Sequence, residues 1–146
     1  MSTLTVGTIS EKVTDAGVSI DSLTIKDGAL NLAVAQKANT FTGTLASVSG
    51  VLNFDTYNNF LITLASGSNS LANPSTEAGN VGQTGVMILI QPSSGSAGTV
   101  SLGTDYETAE SAGLTLSSGN NDYDVVPYII KADNSILIGV PALNFG

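Results

Sequence analysis

Tyr123-Asp124-Val125-Val126-Pro127-Tyr128-Ile129-Ile130-Lys131-Ala132-Asp133-Asn134-Ser135-Ile136-Leu137-Ile138-Gly139-Val140 carries the reading of the fold. β-branched and aromatic residues dominate both halves, and such residues suit a pleated, half-buried surface. Asp133 and Asn134 tolerate left-handed backbone, so they predict a two-residue primed turn between strands over 123–130 and 135–140. In that hairpin Ile130 is expected to face Leu137, and Ile129 to face Ile138. Val125, Val126, Ile129, Ile130, Ile136, Leu137 and Ile138 put apolar side chains on both faces. A thin sheet covers one face with its own second layer, and the other face then calls for another chain. The alternative is a self-contained sandwich whose layers cover both.

Upstream, the texture stays β. Over 58–65, Phe60, Ile62 and Leu64 share one face while Leu61 and Thr63 share the other. Val86-Met87-Ile88-Leu89-Ile90 is a continuous apolar run, the mark of a strand covered on both faces. Short strands are expected at 99–102 and 114–116, with a Gly/Ser turn at 95–98. Residues 66–83 are polar and rich in Gly, Asn and Ser, and read as a long loop. Phe54, Tyr57 and Phe60 read as core. The fold class is therefore all-β, an antiparallel β-sandwich or jelly-roll-like domain over 41–146.

Residues 1–40 read as an extended N-terminal arm. A strand is expected over 3–9. Val18 and Ile20 alternate, then Leu23 and Ile25 alternate in shifted phase, which suggests a bulge or turn near Asp21-Ser22. Residues 32–38 fit either two helical turns or a strand. The arm has too little apolar content to fold alone and needs a neighbour. Val18, Ile20, Leu23 and Ile25 of the arm, with Val126, Tyr128, Ile130 and Leu137 of the hairpin, are the residues expected to meet a partner.

Composition narrows the chemistry. The 146 residues include no Cys, His, Trp or Arg. That excludes thiol nucleophiles, disulfides, Cys/His zinc sites and histidine bases. The net charge of -8 disfavours nucleic acid and anionic membrane as partners. No apolar stretch is long enough for a transmembrane helix, and the start at Met1 has no secretory signal pattern. A Ser–Lys dyad has no supporting motif among the four lysines. Asp105, Glu107 and Glu110 cluster, as do Asp122 and Asp124, and read as solvated loop rims rather than a glycosidase pair. Asp15, Asp21 and Asp27, and the run 120–124, offer oxygen ligands, but neither matches the twelve-residue calcium loop; turn-forming Asp and Asn are the reading. No enzyme activity, cofactor or metal is expected.

The stretch from Thr5 to Asp21, continuing through Ile25-Lys26-Asp27-Gly28, resembles a segment of phage structural proteins, notably tail-fibre and head-associated proteins of marine phages. Asn59-Phe60-Leu61-Ile62-Thr63-Leu64, Gly85-Val86-Met87-Ile88-Leu89-Ile90-Gln91, Gly98-Thr99-Val100-Ser101-Leu102-Gly103, Asp124-Val125-Val126-Pro127-Tyr128-Ile129-Ile130 and Ile136-Leu137-Ile138-Gly139 resemble a β domain of phage fibre and virion-surface proteins. The chain departs from that pattern at Pro92-Ser93 and at Leu102-Gly103. The resemblance implies a non-catalytic, homotrimeric virion protein, made in the host cytoplasm and displayed on the virion surface. Its expected role is capsid decoration as a head fibre, with the major capsid protein or another virion protein as partner. Alternatives are a short tail fibre or adaptor that binds a host receptor, and a module that binds or cleaves host surface glycans.

Overall fold

A computed structural model of the protein describes residues 38–146, all within the unit Lys37–Gly146. The readings made over 1–37, including those at Val18, Ile20, Leu23 and Ile25, lie outside the described residues.

The described chain is all-β. Nine strands follow in order: β1 (Thr40–Thr44), β2 (Asn59–Thr63), β3 (Gly67–Leu71), β4 (Thr84–Ile90), β5 (Gly98–Leu102), β6 (Tyr106–Thr108), β7 (Tyr123–Ala132), β8 (Ser135–Ile138) and β9 (Ala142–Phe145). Among the described residues, helix is limited to single 3-10 turns at Ala46–Val48, Ala78–Asn80 and Ala109–Ser111. One sheet runs β1-β2-β4-β7-β8-β6, with β9 also paired to β7, and β3-β5 form a second, two-stranded sheet.

The large sheet is mixed and the small one parallel, which corrects the antiparallel expectation. β1 with β2, β2 with β4, β3 with β5 and β6 with β8 are parallel, while β7 is antiparallel to β4, β8 and β9. Residue alternation reports which side chains share a face and says nothing of strand direction. Direction follows from the connections: 45–58 and 64–83 are both long enough for the crossover that parallel neighbours need.

The central hairpin forms, in a different register. Ile130 pairs with Ile136, Ile129 with Leu137 and Tyr128 with Ile138, with a shift between Ile130 and Ala132. Asn134 takes positive φ (54°), but Asp133 does not, so the turn is not of the doubly left-handed primed type. The bulge at Lys131 absorbs one residue. It thereby keeps Ile130 and Ile136, both fully buried, on the same face.

The core lies on one side of the large sheet. Phe60 and Ile62 of β2, Met87 and Leu89 of β4, Val126, Tyr128 and Ile130 of β7, and Ile136 and Ile138 of β8 form a continuous buried layer. Leu45, Leu52, Phe54, Leu64 and Leu71 from the connecting segments and β3 join it, and Val100 and Leu102 of β5 pack against it. Phe54 stacks edge-on against Phe60 and against Tyr128, with ring centroids 5.3 Å apart in each pair. Gly85 is required beneath these rings, because a Cβ there would sit 1.8 Å from the Asn58 carbonyl oxygen.

Residues 66–83 are not one long loop, since they hold β3 and a 3-10 turn. Buried Gln91 fixes the partner strand of β3: its Nε2 donates to Gly98 O (3.1 Å) and its Oε1 accepts from Gly98 N (2.7 Å). Residues 114–116 form no strand; Leu114 and Leu116 pack against the core from irregular backbone.

Candidate interaction face

The opposite side of the large sheet is built by the intervening residues. Register aligns them in rows: Leu61, Ile88, Val125 and Ala142 in one, and Ile90, Tyr123 and Phe145 in the next. Val86 lies beside Pro127, and Ile129 beside Leu137. Ile129 is 40%, Leu137 37% and Phe145 53% exposed, against 0% for Val126 and Ile130 on the core side. Val86, Ile88 and Ile90 are half-buried, so the apolar run of β4 is fully covered on one face only. This face is four strands wide at about 4.8 Å spacing and about 23 Å long, giving roughly 450 Å². Patches of that size on a single chain are often functional.

Of the residues expected to meet a partner, Val126, Tyr128 and Ile130 point inward and are covered by their own chain. That corrects their assignment. Each strand position commits to one face, and the core took theirs. Leu137 faces outward, and the outward neighbours that sequence reasoning left off are Ile129, Val125, Ile88 and Phe145. The both-faces apolar pattern of the hairpin was the signal for them.

Charge at this face is confined to one corner. Glu107 neighbours Leu137 across the strands. Its carboxylate accepts from Ser135 Oγ and sits 3.2 Å from Lys131 Nζ. The Ser135 hydrogen bond, then Lys131, holds its pKa below the ordinary carboxylate value. The pair leaves no net charge there.

Two acids read as solvated rim are buried instead. Asp124 is fully buried: its carboxylate accepts from Ser117 N (2.8 Å), Ser117 Oγ (2.6 Å) and Asn144 N (3.1 Å). With those donors it clamps residue 117 and β9 to β7, which is structural work rather than cation binding. Asp105 is also buried, whereas Glu107 and Glu110 are exposed. Asp122 fits the turn reading, accepting from Gly119 N at 2.9 Å. A groove of about 220 Å³ lined by Thr108, Ala112, Ile138, Val140, Pro141 and Leu143 borders β9. Among the described residues no three His, Cys, Asp or Glu side chains gather as a metal-binding group.

Comparison with known protein families, curated protein sequences and solved structures finds no match to this chain.

Proposed function

We propose that this protein works by contact rather than catalysis, as a phage virion component that assembles into a homotrimer and decorates the outer capsid shell. The observation that carries the contact role is the outer sheet face, an apolar surface continued by Tyr123 and Phe145 at one end. A second copy suits it as occupant. The chain carries -8 overall, yet this face holds only the neutralised Lys131–Glu107 pair, so identical copies can meet here without opposing like charges. Standard interfaces bury about 800 Å² per partner. The face supplies about half, and the adjoining exposed Val140 and Leu143 extend it. The large sheet with β3-β5 would then be the two-layer sandwich unit of each subunit. The virion assignment rests on the resemblance of 59–64, 85–91, 98–103, 124–130 and 136–139 to phage surface domains.

The test pairs assembly with function. Light scattering on the full chain should give three times the 14.7 kDa chain mass. The double variant Ile129→Lys/Leu137→Lys, on the exposed face, should be folded and monomeric. Wild type should co-sediment with empty phage shells. A wild-type chain that stays monomeric at high concentration and ignores shells overturns the reading.

A further inference from the structure

A trimer restricts the contacts its copies make. A face laid against the same face of a second copy is isologous and closes a pair, whereas a three-membered ring joins two different patches of each chain, one copy to the next. The large sheet has two such patches at its edges. Among the described residues it ends at β1 on one side, and β9 has β7 along one edge and no strand along the other.

The β1 edge is open over two residues. Asn59 N donates to Asn39 O at 3.2 Å, and alternate residues of a parallel strand bond to the same neighbour. The main chain of Phe41 and Gly43 therefore turns to β2, and that of Thr40, Thr42 and Thr44 turns outward. Ser47 closes one end: its Oγ accepts from Thr44 N (3.2 Å) and donates to Thr44 O (2.6 Å). Thr40 and Thr42 keep their outward edge, with none of the charges, prolines or bulges that usually blunt one.

The β9 edge is an open lane. β8 and β9 both run antiparallel to β7, β8 against 128–132 and β9 against 123–125, so β9 prolongs the line of β8. β6 is parallel to β8 and ends at Thr108, level with Ile138. There the chain leaves the sheet through Glu110 and Ser111, both at positive φ (54° and 56°). The groove of about 220 Å³ lies in the lane that a longer β6 would fill, walled by Thr108, Ala112 and Gly113 on one side and Ile138, Val140 and Leu143 on the other. Val140 is 80% and Leu143 47% exposed.

Resting on the homotrimer proposed above, we propose that β1 of one copy enters the lane beside β9 of the next, so that main-chain pairing carries the sheet from copy to copy around the ring. Strand direction suits this. β1, β2 and β4 are parallel, β7 reverses and β9 reverses again, so β9 runs the same way as β1. A three-fold axis along the strands then brings the two together as a parallel pair, with the three outer faces turned toward the axis. Charge suits it too. β1 reads TFTGT, β9 reads ALNF and no charged side chain lines the groove, in a chain that carries -8 overall. The outer face supplies about half of the about 800 Å² that a standard interface takes from each partner, and the joined edges add to it.

The experiment uses the full chain. Thr42→Pro removes an N–H that faces away from β2, a place where an edge strand accepts proline, so the chain should fold and lose strand addition. Leu143→Lys puts a charge into the groove. By light scattering each variant should have the 14.7 kDa chain mass where wild type has three times that. Mixed in equal amounts, the two should form a one-to-one pair of twice the chain mass, since each keeps the edge that the other has lost. In wild type the Thr40 and Thr42 amides should exchange hydrogen at least about tenfold more slowly than in the monomeric Ile129→Lys/Leu137→Lys variant, a readout that needs no edge variant to fold. A monomeric or dimeric wild type overturns the trimer on which the inference rests. A trimeric wild type whose Thr42→Pro and Leu143→Lys forms are also trimers, or whose Thr40 and Thr42 amides exchange as fast as in the monomer, overturns the edge pairing and leaves the trimer standing.

Discussion

The two faces of β7 are interleaved residue by residue, yet they sit in different surroundings. Val126, Tyr128 and Ile130 are closed off by connecting loops, β3 and aromatic rings, while Val125, Pro127 and Ile129 look outward. Side chains of similar hydrophobicity thus have different jobs. The inner set is buried in the core, and the outer set stays half-buried or exposed among the described residues. An apolar pattern on both faces of a strand marks two surfaces, of which the described chain closes off the inner one.

The widest gap between the faces should appear on truncation. Ile130→Ala removes a fully buried side chain and should destabilise by about 2–5 kcal/mol. Ile129→Ala, one residue earlier, should cost under about 1 kcal/mol in dilute monomer. Urea unfolding midpoints decide it. Equal losses at low concentration would mean the outer face is packed within the chain, and the comparison would collapse. If the Ile129→Ala loss grows with protein concentration, the comparison sharpens into an interface.

Alkaline pH probes the inner face alone. Burial raises the pKa of Tyr106 and Tyr128 above 10.0. A folded-state pKa above the unfolded one means full stability below about pH 10 and loss as pH rises through the folded value. Near pH 11 Tyr106 alone should account for about 1 kcal/mol. Tyr106→Phe should flatten that dependence in urea titrations at stepped pH. A stability that stays level to pH 11.5 would contradict the burial of both phenols.

The smallest effect belongs to the charged corner of the outer face. Ser135→Ala removes the main cause of the lowered Glu107 pKa, so the Glu107 titration should move up, as read by NMR, with little change in melting temperature. The sign follows from a folded value held below the unfolded one: what the contact contributes is present above the unfolded pKa and fades as pH falls through the folded one. An unmoved titration would assign the shift to Lys131 instead.

Much of the fold was legible because alternation is a local signal. The inward set Phe60, Ile62 and Leu64 on and just after β2, the existence of β4, β5, β7 and β8, and the turn at Asp133-Asn134 all follow from side-chain period and turn chemistry. β3 was hidden because Gly67-Ser68-Asn69-Ser70 has little strand propensity; its ladder to β5 and the Asn69 side-chain bonds to Ala65 make it. β6 was hidden by its three-residue length, and β1 (TFTGT) and β9 (ALNF) by sequences with no run of alternating β-branched apolar residues. The interaction face was half legible, since the hairpin showed surplus apolar residues without showing which of them the core would take. Asp124 and Asp105 look like ordinary loop acids until the folded chain buries them, Asp124 under donors from Ser117 and Asn144 and Asp105 beside Asn73.

By itself, the order of residues determined an all-β character for the described residues, a composition poor in reactive side chains, and a hairpin with apolar residues on both faces. Those properties are set by composition and by neighbours two positions apart. Strand direction, the bulge at Lys131, the choice of inward face, and the burial of Asp124 beneath Ser117 and Asn144 were decided only by tertiary structure. Each depends on contacts between segments distant in sequence, whose energies exist only once the backbone has closed around them.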